Sequence, residues 1–584
     1  MHLVDCRDSQ TIKRGNKMNW QRKYQEWLDY PSLEANLKDQ LLALSDPAVI
    51  EEHFYDYLAF GTGGMRGELG VGINRINDYT IKRAALGLAR YVQKAHAEQQ
   101  GVVISFDNRH GSKRFAEWTA RVLASQGIRV YLSDQLRPTP QLSFLVRYYK
   151  AFAGVMITAS HNPKQYNGFK VYASDGGQIT LGTAEELMGI LASIQNELMI
   201  EADLLSTYVE QQLIDIFGKE VDALYLDQLI QVAQNPERIR HFGSQLSMVY
   251  TPLHGTGNVL IQKAFQRLGF TNLRTVKEQE LPDPDFTTVS SPNPEDQQAF
   301  TLALKEAQTQ PTQLILATDP DADRLGAVVR KDGQPVFLNG NQIGVLLLDY
   351  LVRVKQAANS FIAKTIVTSD LGAKIAEAYG IEVRNTLTGF KFIGEQIQLS
   401  EETKDKTFLF GYEESFGYLV APFVRDKDAI QAAVLLAETA LDCFLSGIDL
   451  VDRLNEIYDR YGYYEEQLET KVFPGKDGLS QMSQQLDRLR SLSFSHLGDF
   501  VLMAKEDFLT SERWMAGQSI EKITLPSSNV LKYIFTDGSW VCLRPSGTEP
   551  KFKIYYSVNA SNQPSATQKM QQLRTAFHQL LKSE

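Results

Sequence analysis

Short apolar runs alternate with segments of helical period along most of this chain. From residue 102 the order is VVISFD, RFAEWTARVLASQG, IRVYLS, PQLSFLVRYYKA and AGVMITAS, strand-like runs and helix-like runs by turns. A second cycle reads LSMVYTP, NVLIQKAFQRLGF, LRTVKE, FTLALKEAQ and LILATDPDADR, and a third reads GVLLLDYLVRV, FIAKTIVTS, LGAKIAEAYG, IEVRNT and TFLFGYEES. Such alternation argues for α/β layers with a largely parallel sheet. The last stretch differs: YYEEQLETKVF, SWVCLRPSGTEPKFKIYYSV and a terminal helix ATQKMQQLRTAFHQLL predict a smaller α+β unit. The expected division is an N-terminal extension and helix (1–40), three α/β domains (41–220, 221–337, 338–462) and an α+β domain (463–584). A length of 584 residues, at about 150 per domain, agrees with four domains and makes a single compact core unexpected.

In each α/β cycle an apolar strand runs straight into a polar loop, at TASHNP, at TDPDAD and at GYEES. Ligands of open α/β sheets bind beyond the carboxyl ends of strands, so the three loops are expected to converge on one cleft. Ser160 and His161 stand together in the first loop. Neighbours on an extended chain point to opposite faces, and Ser, Asn and Pro also make ordinary turns. In the second loop Asp319, Asp321 and Asp323 recur at every second residue, and carboxylates that close repel unless a cation or solvent screens them. An EF-hand is excluded, because its glycine and glutamate positions hold Arg324 and Arg330. Magnesium suits a site that phosphate oxygens complete, and a solvated acidic turn is the alternative. Glu413, Glu414 and Ser415 suit vicinal sugar hydroxyls or an exposed turn. The run RPSGTEPK joins the cations Arg544 and Lys551 to the hydroxyls of Ser546 and Thr548 around Gly547, which makes either a phosphate cradle or a plain turn. FGTGGMRG matches neither nucleotide fingerprint, although Thr62 and Arg66 could meet phosphate oxygens. TPLHGTG and TLTGFKF are two more strand-end loops expected at the same cleft or as ordinary turns.

Composition narrows the class. With 43% hydrophobic and 22% charged residues the chain is that of a folded soluble protein. The 60 Lys and Arg against 70 Asp and Glu give a net charge of -10 without a basic block, so no nucleic-acid partner is expected. Three scattered cysteines, Cys6, Cys443 and Cys542, support neither a disulfide framework nor a zinc site, and a reducing cytoplasm fits. AIQAAVLLAETALDCFLSG carries Glu438 and Asp442 and reads as a buried helix, not a membrane span. Residues 1–17 lack the apolar core of a signal peptide and read as a tag, an upstream start or a flexible extension ahead of the amphipathic run from Met18.

The ordered series TASHNP, DPDADR, GYEES and RPSGTEPK, preceded by FGTGGMRG, closely resembles the α-D-phosphohexomutase superfamily in its phosphoglucomutase-like branch, from about Thr62 to Lys551. The resemblance implies three similar α/β domains with mixed sheets plus a smaller C-terminal α+β domain, all around a central cleft. It implies an intramolecular phosphotransferase acting on sugar phosphates, with glucose 1-phosphate and glucose 6-phosphate expected and mannose or pentose phosphates as alternatives. A catalytically silent sugar-phosphate sensor is the alternative of another class. By resemblance Ser160 carries the phosphoryl group, and Asp319, Asp321 and Asp323 bind Mg2+ with the Ser160 phosphate. Arg324 lies near the transferred group, while Thr388, Gly389, Glu413 and Ser415 face the sugar. Thr62, Arg66, Arg544, Ser546, Gly547, Thr548 and Lys551 hold phosphate. Lys170 and His161 are candidates for proton transfer, with Lys391 as a third. Glucose 1,6-bisphosphate is the implied intermediate and activator.

Overall fold

The computed structural model describes residues 19–61, 63–355, 357–473, 478–515, 520–545 and 551–582. Residues 1–18, where the leader was read, and Thr62, Ser546, Gly547 and Thr548 lie outside them.

The first sheet has seven strands in the order Phe60–Gly61, Gly64–Glu68, Tyr166–Ala173, Ala153–Ile157, Val102–Phe106, Val130–Ser133 and Ile214–Phe217. Ala153–Ile157 is buried throughout, as a strand covered on both faces must be. It runs parallel to Val102–Phe106, with Ile157 level with Phe106, and antiparallel to Tyr166–Ala173, with Ile157 opposite Phe169. The second sheet orders Gln334–Leu338, Leu325–Lys331, Leu314–Thr318, Met248–Thr251 and Leu273–Thr275, and the third orders Glu382–Thr386, Ser360–Thr365, Thr407–Glu413 and Gly417–Leu419.

All three sheets are mixed, which corrects the largely parallel sheet that the alternation alone suggested. The strand after each polar loop returns antiparallel: Thr318 pairs with Leu325 and Glu413 with Gly417. The cause is loop length, since a parallel return needs a crossover of about a dozen residues and these loops are shorter. Each polar loop is therefore the tip of a hairpin at one end of its sheet.

The C-terminal unit is an eight-stranded sheet with the helices Gly478–Ser491 and Gln563–Lys582 packed on its core. Tyr463–Val472 pairs along its whole length with Lys551–Ala560. At the other end of the chain the helices Trp20–Asp29, Ala35–Ala43 and Pro47–Phe54 share a small core. Trp27, fully buried there, donates its indole N–H to Glu197 Oε1 at 2.7 Å, tying these helices to the first α/β unit.

The expectation that the core divides by domain holds only in part. One apolar cluster runs continuously from Val103 to Tyr464 and joins the second and third sheets to the helix Thr139–Tyr149 of the first. At its centre lies the helix Ala429–Leu445, the run AIQAAVLLAETALDCFLSG read as buried. Asp428 caps it by accepting from the N–H groups of Ile430 and Gln431 at 2.9 and 3.0 Å. Its buried Glu438 accepts from the Gln234 N–H at 2.8 Å, so even the acid in that run is used to join two units. Among the described residues no helix is long and apolar enough to cross a membrane.

Candidate active site

Ser160 follows the buried strand Ala153–Ile157 and has φ of 51°, a left-handed conformation that costs a non-glycine residue about 1 kcal/mol. Hydrogen bonds hold the turn. The Ser160 N–H donates to Thr158 Oγ1 at 2.8 Å. Arg109, only 3% exposed, donates to the carbonyls of Ser160 at 2.5 Å, Pro163 at 2.9 Å and Tyr166 at 3.1 Å, and also to that of Asn162. Because the chain turns here, neighbouring side chains do not diverge as they would on an extended strand: Ser160 Oγ and His161 Nδ1 are 3.2 Å apart.

Ser160 Oγ donates to Asp319 Oδ2 at 2.6 Å. Asp319, Asp321 and Asp323 are all buried and offer three oxygens within 4.8 Å of one another. The hairpin tip is wound tightly enough for Asp319 Oδ1 to accept from the N–H groups of Asp323 and Arg324, both at 3.0 Å. Asp321 Oδ2 accepts from Thr139 Oγ1 and from Lys170 Nζ, each at 2.8 Å, and Asp323 Oδ2 lies 2.9 Å from Lys427 Nζ. Asp321 Oδ1 and Asp323 Oδ1 are buried without a hydrogen-bond partner among the described residues. Buried carboxylate oxygens left unpaired so close together suit a hard divalent cation, and the residues present fit one. A solvated acidic turn does not describe this loop.

The electrostatics follow from that crowding. Burial and the two neighbouring carboxylates push Asp319 well above the ordinary carboxylate range. Burial would raise Asp321 too, but the Lys170 ammonium overrides it and holds the group below that range. Lys170 is itself held above its usual value, the Asp321 and Asp323 carboxylates outweighing its burial. Burial, with Arg324 and Arg66 adding to it, pushes His161 well below its usual value, so the imidazole is neutral at pH 7.

A cleft of about 640 Å³ adjoins this centre through His161, Arg324 and Lys427, and Thr388, Glu413 and Arg544 also line it, so that all four units contribute. Glu413 Oε1 accepts from the Gly389 N–H at 2.9 Å. Burial, opposed by Lys427 and helped by Glu414, pushes Glu413 up to about 7. Glu414 and Ser415 line the cleft beside it, and Glu414 Oε2 accepts from the hydroxyls of Thr365 and Thr368 at 3.3 and 3.1 Å. Arg544 stands opposite Lys553 on paired strands, and both line the cleft. Arg66 donates to Asn162 Oδ1 at 2.7 Å, against the Ser160 loop. Lys551 begins the strand Lys551–Ala560. Thr62, Ser546, Gly547 and Thr548 lie outside the described residues.

Two expectations change. TLTGFKF reaches the cleft through Thr388, Gly389 and Phe390, but TPLHGTG does not line it. That loop lies beneath the metal-like hairpin instead, with Thr256 donating to the Pro320 carbonyl through its N–H at 2.8 Å and its hydroxyl at 2.9 Å. Lys391, the third proton-transfer candidate, is buried with its ammonium 5.1 Å from the Phe392 ring centre and does not line the cleft. Sequence reasoning missed Arg109, Thr139, Glu295, Lys427 and Lys553. Arg109 and Lys427 had a visible signal, since FDNRHG and VRDKDA are polar clusters next to buried elements. Thr139, Glu295 and Lys553 had none.

Known proteins resemble the chain along most of its length. Family models described as phosphoglucomutase/phosphomannomutase alpha/beta/alpha domains I, II and III match residues 58–198, 223–333 and 339–461, and the C-terminal domain model matches 505–570. A phosphoglucomutase of Staphylococcus haemolyticus is 40% identical over 88% of this chain and 92% of its own length. One of Staphylococcus epidermidis is 40% identical over 88% and 93%. The solved structure of parafusin, a phosphoglucomutase of Paramecium in its open form, superposes with a TM-score of 0.67 over 89% of this chain and 95% of its own, and at 17% identity that likeness is one of fold.

Proposed function

Since the chain belongs to the phosphoglucomutase/phosphomannomutase family, we propose that it interconverts glucose 1-phosphate and glucose 6-phosphate through a phosphoryl group carried on Ser160. The observation that carries this reading is that Ser160 Oγ lies 2.6 Å from Asp319 in a buried acidic triad, and that the adjoining residues His161 and Arg324 line a cleft to which all four units contribute.

Asp319, Asp321 and Asp323, with a phosphorylated Ser160, would hold Mg2+, which supplies neutralisation of the charge on the transferred group. The rest is positioning. A sugar hydroxyl attacks phosphorus, the P–O bond to Ser160 breaks, and its electron pair stays on Oγ while the hydroxyl proton passes to a base. The bisphosphorylated sugar, glucose 1,6-bisphosphate, then turns over. Its other phosphate returns to Ser160, and the sugar oxygen released takes up a proton. His161, with Nδ1 3.2 Å from Ser160 Oγ, stands beside the oxygen that exchanges phosphoryl with the sugar and is the candidate for these transfers, whereas the Lys170 ammonium is engaged by two carboxylates.

Glu413 and Ser415 must meet the sugar in both orientations, and Arg544 with Lys551 and the RPSGTEPK loop would hold whichever phosphate is not reacting. Water must be kept out, because hydrolysis of the phosphoserine ends the cycle.

The test is a coupled assay of the full chain with magnesium and a trace of glucose 1,6-bisphosphate, comparing glucose, mannose and ribose 1-phosphates. The expected order places glucose first in kcat/KM. A higher value for either of the other sugars would overturn the glucose assignment.

A further inference from the structure

Arg324 follows the acidic triad directly and lines the cleft, yet its partner comes from elsewhere. Its Nη1 makes a close ion pair with Glu295 Oε1. The lysines at the triad are spent on the triad itself or beside it: Lys170 on Asp321 and Asp323, and Lys427 on Asp323 and Asp426. Arg324 Nε is buried without a hydrogen-bond partner among the described residues and lies 4.0 Å from Asp323 Oδ1. The guanidinium is therefore half satisfied, with a donor in reserve beside the phosphoryl site.

Glu295 is held where it is by backbone. Its N–H donates to Asn293 Oδ1 at 3.1 Å, and the Asp296 N–H donates to the Asn293 carbonyl at 2.9 Å. The preceding Pro294 lies against the strand Leu325–Lys331, which follows Arg324 directly. A Cβ on Gly326 would sit 2.7 Å from the Pro294 carbonyl oxygen and 2.9 Å from its Cβ. Close approach at Gly326 thus holds the Glu295 backbone near the strand that Arg324 leads into, so an exchange of partners needs movement of side chains only.

We propose that Glu295 is a positioning residue that parks the Arg324 guanidinium beside Ser160 while no phosphoryl group is present and gives it up to the phosphoryl group that arrives. The proposal rests on the phosphomutase reading of Ser160. A dianionic phosphate offers a guanidinium two acceptors in fork geometry and more charge than one carboxylate, so it wins the exchange. Glu295 makes that win smaller and keeps Arg324 from collapsing onto Asp323 in the empty site.

The test is titration of inorganic phosphate, with magnesium present, into full-length Ser160→Ala protein, followed by calorimetry. Glu295→Gln should tighten phosphate about tenfold, because phosphate no longer displaces a carboxylate. Removing a nearby negative charge would help phosphate somewhat even without Arg324, so the same change is made in an Arg324→Gln background. There the gain is expected to shrink by at least about threefold. Should Arg324→Gln fail to fold, Arg324→Lys, which keeps the charge and loses the fork, is expected to show an intermediate gain. An equal gain in both backgrounds, or none in either, would overturn the proposal. If wild-type turnover proved independent of Ser160, the phosphomutase reading would fall instead, whatever Glu295 does.

Discussion

Ser160 shows what one residue requires of its surroundings. Its left-handed φ turns Oγ toward Asp319 and brings His161 beside it, and Arg109 maintains that turn by gathering four carbonyls between residues 160 and 166. The motif around Ser160 was legible in the sequence, but its geometry was not, because an extended chain would have sent the two side chains apart. The polar cluster FDNRHG marked Arg109 as a residue to watch, but its task was not legible: its partners are backbone oxygens from a segment 51 to 57 residues away, and backbone carries no sequence signature. It is also paired with buried Asp107 at 3.4 Å. Arg109→Ala should cost about 3 kcal/mol of stability by leaving that carboxylate uncompensated. Its kcat should fall much further than that of the wild type at equal folded fraction. Thermal unfolding and kinetics on the same preparation check both, and unchanged kcat in folded protein would mean that the turn holds without the arginine.

Among elements, the hairpins deliver the chemistry. Strand and helix positions were readable from periodicity, while strand direction was not, since LGAVVR looks equally apolar running either way. Direction was set by the shortness of the loops between Thr318 and Leu325 and between Glu413 and Gly417. The TPLHGTG loop, read as a cleft loop or an ordinary turn, lies under the acidic hairpin as its support, because glycine at 255 and 257 permits an approach that no side chain would. A Cβ on Gly255 would lie 2.5 Å from Pro320 Cα, and one on Gly257 would lie 3.2 Å from Ala322 Cβ. Gly255→Ala should therefore displace the hairpin and raise the magnesium concentration for half-maximal activity by about tenfold, while a Ser160-independent property such as far-UV circular dichroism stays put. An unchanged magnesium requirement would show that the hairpin is held in some other way.

On the scale of the whole molecule, four units share one cleft, and the described core is continuous through three of them. Domain number and loop order were readable because each unit repeats the strand-loop pattern. The shared core was not, since it depends on where the helix Ala429–Leu445 inserts. The junction with the C-terminal unit carries a titratable group: Glu466 Oε2 accepts from Asn341 Nδ2 at 3.2 Å, and Oε1 is buried without a partner among the described residues. Burial, with Asp370 adding to it against the Ser369 hydroxyl, pushes Glu466 up to about 7. A carboxyl raised in the folded state keeps its proton there after the unfolded chain has lost it, so its contribution is fully present below pH 4.5 and is lost as pH rises toward 7. Wild-type protein should lose more Tm between pH 5 and pH 8 than Glu466→Gln, by a few degrees. Parallel slopes for the two would remove Glu466 from this role.

All of this converges on a phosphoryl group that resides on Ser160 between half-reactions. The direct measurement is mass spectrometry of the Ser160 peptide after loading with glucose 1,6-bisphosphate and again after a chase with glucose 6-phosphate. The account predicts phosphate on Ser160 after loading and its departure during the chase as bisphosphorylated sugar appears. Phosphate on a different residue, or full turnover by Ser160→Ala, would contradict it.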